Sequence, residues 1–210
     1  MFKPSENLTA IEAADSVRQP PGYSSDQRRI LLAIAHEAIT AKIAGEPLPG
    51  KPPLDRAAAS LWAALEEPRG VFTTLYSRCE LRGCVGYVVP AKPLFQAVAE
   101  TACAAAFEDS RFWPVSPAEA PELKISLSVL SQLFPIDAAH VEVGRHGLVI
   151  SDGVRRGLLL PQVPVEHGWD RETFLEQTCR KARLPIDAWK KSATIEAFVA
   201  KVFGDDDVSG

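Results

Sequence analysis

Apolar residues recur along the first third of the chain at helical spacing. Ile30, Leu31, Ile34, Ala35, Ala38 and Ile39 fall on one face. Ser24 and Gln27, just ahead of them, form a capping-box pair, so the pattern predicts an amphipathic helix reaching about Ile43. The proline-rich GEPLPGKPP reads as a loop. LDRAAASLWAALEE reads as a second, shorter helix, stopped by Pro68-Arg69-Gly70. The period then changes from helical to alternating. VFTTLY and LRGCVGYVV are β-rich runs joined across Ser77–Glu80, a hairpin with a short connection. Pro93 suits the first turn of a helix that runs to about Phe107. After the irregular EDSRFWPVSPAEAP, Leu123, Ile125, Leu127 and Val129 alternate with Lys124, Ser126 and Ser128, as in a strand with one buried face.

The second half reads as short strands and turns. VEVG is expected to pair with LVIS across Arg145-His146-Gly147, with His140 opening the strand. LVIS is expected to pair with RRGLLLP across the Asp152-Gly153 turn. Asp170 caps a further helix that carries Trp169, Phe174 and Leu175 near its start. TIEAFVAKVF reads as one closing strand, and DDDVSG (205–210) as a solvated tail without a folding role. Residues 1–22 end in Pro20-Pro21-Gly22 and read as a loosely held arm. Hairpins with helices between them predict an α+β fold over residues 23–204, with mixed or antiparallel sheets, rather than a parallel doubly wound sheet.

Composition narrows the function classes. The 210 residues carry a formal charge of −4, which argues against a broad nucleic-acid footprint. A local basic patch around Arg145, Arg155 and Arg156 keeps RNA binding as a minor alternative. No run approaches a membrane span, and the N-terminal segment has no apolar h-region, so the expected location is the cytoplasm. Cys79, Cys84, Cys103 and Cys179 show no zinc or iron–sulfur spacing and are expected as free thiols. Cys103 and Cys179 sit in helical runs and read as core residues.

Candidate chemistry gathers on one strand. ELRGCVGY places Cys84 among small residues, with Gly83 before it and Gly86 two places on, so a substrate could approach the thiol or the backbone closely. On a regular strand Arg82 shares the face of Cys84, where its guanidinium would favour the thiolate or clamp a carboxylate. The packing alternative is that the glycines permit a bulge or a close helix contact. His146 and His167 are the histidines that could serve Cys84 as a base, set against turn histidines exposed to water. His36 reads as solvated. Gln162 is a candidate recognition group and Glu166 a neighbour of His167. Cys84, His146, Glu166 and His167 have no spacing that calls for a metal, and no phosphate-binding motif is present, so no metal or cofactor is expected.

Four strings in order, LRGCVGY, RFWPV, VEVGRHGLVI and RGLLLPQVPVEHGWDRETFLEQTCRKARLP, resemble the AMMECR domain family over roughly Ser24 to Phe203. The likeness is greatest to the A component of the AmmeMemoRadiSam system. The resemblance implies a two-lobed fold with the LRGCVG motif lining a cleft, and a Memo-like protein and a radical SAM protein as partners. It implies no reaction. Arg183 stands where the family commonly has Gly, so the preceding helix is expected to end differently here. Two roles follow: a substrate-binding or adaptor subunit using Arg82 and Gln162, or a thiol enzyme with Cys84 as nucleophile. The residues leave open whether the chain is an enzyme.

Overall fold

A computed structural model of the chain describes residues 22–52 and 56–208. The arm expected over residues 1–22 lies outside them, apart from Gly22. The fold is α+β, and the described residues divide into two compact units, 22–130 with 201–208 and 131–200.

The first unit contains helix α1 (Ser25–Ala44), helix α2 (Arg56–Glu66), strands β1 (Val71–Ser77) and β2 (Glu80–Tyr87), helix α3 (Leu94–Phe107) and strand β3 (Lys124–Leu130). Ser24 caps α1 with the expected reciprocal bonds to Gln27. The helix buries Leu31, Leu32, Ile34, Ala35, Ala38 and Ile39, the stripe that its spacing predicts. Strand β1 lies between β2 and β3, antiparallel to both, and turns Val71, Thr73 and Leu75 inward beneath α3. Thr73 and Thr101 satisfy each other across that contact at 2.8 Å. Ten residues of α3 are buried, five of them alanines, so the helix can lie close to its neighbours.

The second unit holds β4 (Phe134–Pro135), β5 (Gly147–Asp152), β6 (Arg155–Leu159), the short helix α4 (Gln162–Glu166), helix α5 (Arg171–Lys181) and β7 (Thr194–Phe198). Its sheet order is β4-β7-β5-β6. The expected hairpin forms, with its two-residue tip at Gly153-Val154 rather than Asp152-Gly153, and Asp170 caps α5 through the Thr173 amide. Gly157 lets β6 reach the end of α5, since a Cβ there would lie 2.2 Å from the Ala182 nitrogen.

Five expectations change. VEVG is not a strand; β5 takes its second partner from β7, and Val141–Gly144 leads into a turn in which His146 accepts the Glu142 amide. His140 closes a short 3-10 turn, Ala138–His140, instead of opening a strand. TIEAFVAKVF is divided at Val199 into β7 and β8 (Ala200–Gly204), which belong to different sheets. Reciprocal bonds between Val199 and Ser131 hold the break. Residues 205–208 are a helical turn, α6 (Asp205–Val208), not a tail without a role. There the Asp205 carboxylate accepts the Ile125 amide at 2.7 Å and meets His36 Nε2 at 3.0 Å, so His36 is engaged rather than solvated.

Arg183 is a further correction. It adopts φ 58°, so α5 ends in the left-handed turn that a glycine would favour. Leu184 N–H donates to the Cys179 carbonyl and Arg183 N–H to the Arg180 carbonyl, which is the Schellman pattern. Leu184 and Cys179 are both buried and hold this geometry against the local preference of an L residue.

Two outcomes follow from these ends. Arg183→Gly relieves the left-handed strain and should raise stability by about 1 kcal/mol, read as a higher urea midpoint at unchanged slope. An unchanged or lower midpoint would show that the turn is unstrained. Burial raises the Asp205 carboxyl, but the His36 bond, the Ile125 amide and Lys124 outweigh it and hold the group below its ordinary value. Its contribution is therefore present above the unfolded carboxyl value near ~3.9 and is lost as pH falls through the lowered folded value. Asp205→Asn should cost roughly 1 kcal/mol at pH 7, a difference from wild type that closes in acid. A gap independent of pH would reject the ionic origin.

Candidate functional site

The hairpin that carries the motif is shaped by two departures from a regular ladder. Its two-residue tip, Arg78-Cys79, has φ of 51° and 67°, the left-handed pair of a type I′ turn without the usual Asn or Gly. Further along, Leu75 pairs with Gly83 and Tyr76 with Leu81, which leaves Arg82 as the extra residue of a bulge. The strict alternation of the strand is lost there, and Leu81 takes the place opposite Tyr76.

The glycines have a packing origin. A Cβ on Gly83 would lie 2.2 Å from the Ala105 carbonyl oxygen of α3, and one on Gly86 would lie 2.4 Å from the Phe72 ring and from the Val71 carbonyl oxygen. Strand and helix backbones meet directly at Gly83. Just beyond that contact α3 ends, and Asp109 turns back to accept the Cys84 amide at 2.9 Å. The Asp109 side chain is only 7% exposed and also takes three bonds from Arg111, from its amide at 3.2 Å and its guanidinium at 2.9 and 2.7 Å. Arg111 is the main reason that the Asp109 carboxyl is held far below the usual carboxylate range, against the opposing effect of burial.

Cys84 is half-buried, and its Sγ accepts the hydroxyl of Thr74, its cross-strand partner, at 3.3 Å. The guanidinium that reaches Cys84 is that of Arg111, whose Nη2 donates to the Cys84 carbonyl at 3.4 Å. Arg82 instead grips Glu119 with two bonds, Nε at 2.6 Å and Nη2 at 3.1 Å, while its Nη1 is buried with no hydrogen-bond partner among the described residues. The Arg82 and Arg111 guanidinium carbons lie 5.9 and 5.4 Å from the centre of the Phe112 ring, within cation–π range. Trp113, next in the chain, is 88% exposed. An open cavity of about 550 Å³ adjoins the site, with Arg78, Glu80, Arg82, Ser116, Glu119 and Glu122 on its wall.

The other candidates belong to the second unit. His146 is 5% exposed, not a turn histidine in water; its Nδ1 accepts the Glu142 amide at 3.0 Å and its ring packs edge-on to Phe134. His167 is exposed and stacks on Trp169 with ring centres 4.7 Å apart. Gln162 and Glu166 are exposed at the two ends of α4. Arg145, Arg155 and Arg156 pair with Glu142, Asp152 and Glu196, so each shares its charge with a carboxylate. Cys103 and Cys179 are buried, as expected of core thiols, and Cys79 is exposed. Among the described residues no group of three or more His, Cys, Asp or Glu side chains could hold a metal, and no helix is long and apolar enough to cross a membrane.

Sequence reasoning passed over Thr74, Asp109, Arg111, Phe112 and Glu119. Asp109, Arg111 and Phe112 lie in EDSRFWPV, whose RFWPV carries part of the resemblance, but nothing in its spacing placed these side chains against the LRGCVG strand; Thr74 and Glu119 left no sign.

Gly83→Ala should be severely destabilising, by roughly 3 kcal/mol or more, because neither backbone at that contact can withdraw. A chemical melt of the variant checks this. A loss below about 1 kcal/mol would mean that strand and helix can separate freely there.

Comparison with known proteins places these features in a wider set. The AMMECR1 family profile matches residues 32–203. The chain is 41% identical over 197 residues to protein MK0488 of Methanopyrus kandleri, covering 88% of this chain and 91% of that one. It is 41% identical over 192 residues to a Thermococcus gammatolerans protein, covering 84% and 89%. The crystal structure of the uncharacterized protein PH0010 from Pyrococcus horikoshii superposes with a TM-score of 0.75 at 36% identity, over 88% of this chain and 94% of that one.

Proposed function

The chain belongs to the AMMECR1 family, and from that premise we propose that it is a binding or adaptor subunit that works through the surface around Arg82, Phe112 and Trp113. Its partners, on the family resemblance, are a Memo-like protein and a radical SAM protein. One observation carries the choice of binding over covalent chemistry. The thiol of Cys84 is bonded to a Thr hydroxyl, which is no general base at neutral pH, and the one imidazole of its unit, His36, is engaged by Asp205. A thiol nucleophile served in this way has half a mechanism. The neighbouring groups are those of recognition: a guanidinium set by a bidentate carboxylate, a ring flanked by two cations, and an exposed Trp of the kind that anchors interfaces.

In this reading Glu119 fixes the plane of the Arg82 fork, and Asp109 fixes Arg111 and the Cys84 backbone together. The surface is therefore pre-organised, which lowers the ordering cost of binding. Gln162, Glu166 and His167, exposed on the second unit, are further contact groups in the proposal.

Binding to the purified Memo-like and radical SAM proteins, measured by calorimetry, provides the test. Trp113→Ala removes an exposed side chain at no folding cost and should weaken binding at least about tenfold, or roughly 1.4 kcal/mol. Arg82→Lys keeps a charge against Glu119 but loses the planar fork, and should weaken binding similarly. Cys84→Ala should leave binding within about twofold and leave any turnover of the reconstituted mixture in place. Loss of turnover in folded, binding-competent Cys84→Ala would establish the thiol enzyme instead. Failure of wild type to bind either protein would end the adaptor reading.

A further inference from the structure

We propose that the first unit carries a separate small-molecule site, a pocket between α1, α3 and the edge strand β2 that binds an organic amine with an apolar body. The pocket holds about 510 Å³, within the range of about 300–1,000 Å³ usual for ligand sites. Val85, Cys103 and Ala104 supply apolar wall from β2 and α3, and Pro47 and Leu48 supply it from the loop after α1. Leu48 is a large apolar side chain left 40% exposed beside this space, surface that an apolar ligand would cover.

The sign of the ligand's charge comes from the ends of two helices. Helix α1 closes in a left-handed Gly45 cap, with Glu46 N–H donating to the Ala41 carbonyl at 2.8 Å. Helix α3 closes at Glu108, whose N–H donates to the Ala104 carbonyl. Lys42, Glu46, Ala104 and Glu108 all line the pocket, so both helices bring their carbonyl ends to it, each with a partial negative charge of about half an electron. The carboxylates of Glu46 and Glu108 add to that field and Lys42 opposes it, while Glu100 shares its charge with Lys92 at 2.6 and 2.8 Å.

Two further groups define what the site can do. Tyr87 lines the pocket, and its hydroxyl is buried without a well-formed hydrogen bond among the described residues. Burial first, then the charge of Glu100 and a contact with its side chain, push the phenol up to about 12. A neutral phenol oxygen beside a carboxylate is a ready acceptor for an ammonium N–H, and its ring a face for the cation. Cys103 donates to the Ala38 carbonyl at 3.3 Å, and burial pushes its thiol up, with Glu108 adding to the shift and Lys42 opposing it. It is a protonated wall group, so binding there is non-covalent.

Saturation-transfer NMR with hexylammonium, hexanol and hexanoate tests the assignment. Hexylammonium should bind at least about fivefold more tightly than hexanol, with hexanoate the weakest of the three. Glu100→Gln and Tyr87→Phe should each weaken hexylammonium by about three- to tenfold, and Ala104→Leu should fill the space and abolish binding of all three. Arg82→Lys should change none of these values, which separates the site from the surface proposed for partners. Should Ala104→Leu fail to fold by circular dichroism, the Glu100 and Tyr87 variants carry the test. No hexylammonium binding to the wild type up to about 10 mM, hexanoate binding as tight as hexylammonium, or binding indifferent to all three pocket variants would overturn the proposal.

Discussion

The direct approach of β2 to α3 at Gly83 is the constraint on which the rest of the motif depends. With 2.2 Å between the Ala105 oxygen and any Cβ at that position, no side chain fits. The strand is therefore held against the helix just where the helix ends. That proximity lets Asp109, the second residue past α3, reach the Cys84 amide, and through Asp109 it fixes Arg111. It also accompanies the bulge that takes Arg82 out of the ladder and frees its guanidinium for Glu119. A packing contact between two backbones thus sets the positions of two arginines.

The charges of the first unit are divided by the same geometry. At the hairpin end both guanidinium groups are matched to carboxylates, one through Glu119 and one through the buried Asp109. Such bidentate pairs orient a cation more than they stabilise a fold, because desolvation offsets much of the attraction. Farther along β2, beside Val85 and Tyr87, carboxylates outnumber cations and two helix carbonyl ends converge. One eight-residue strand therefore borders both a surface of fixed cations and a negative, partly apolar pocket.

Local pattern was sufficient wherever the determinants were local. The Ser24 capping box, the stripe of α1, the two hairpins and the Asp170 cap all rest on residues within a few positions of one another, and all formed as predicted. It failed where a distant partner outbid it. VEVG has the alternation of a strand, but β7 takes the edge of β5 that it would need. TIEAFVAKVF has the alternation of one strand, and the Ser131–Val199 bonds divide it. Arg183 has the wrong residue type for a left-handed turn, and burial of Leu184 and Cys179 imposes the turn regardless.

For the site, the sequence alone determined that LRGCVGY was a strand on which small residues met an arginine and a thiol, and that Cys103 and Cys179 were core. It also determined the fold class, because the change of period between helices and hairpins is written residue by residue. Only the tertiary structure decided what each motif residue does. The bulge, which depends on how β1 and β2 register, takes Arg82 out of the ladder, and its guanidinium pairs with Glu119. The end of α3, which depends on helix packing, brings Asp109 and Arg111 to the cysteine across 25 and 27 residues of chain. Contacts over that distance leave no periodic trace, since periodicity records which face is buried and not which side chain is waiting there.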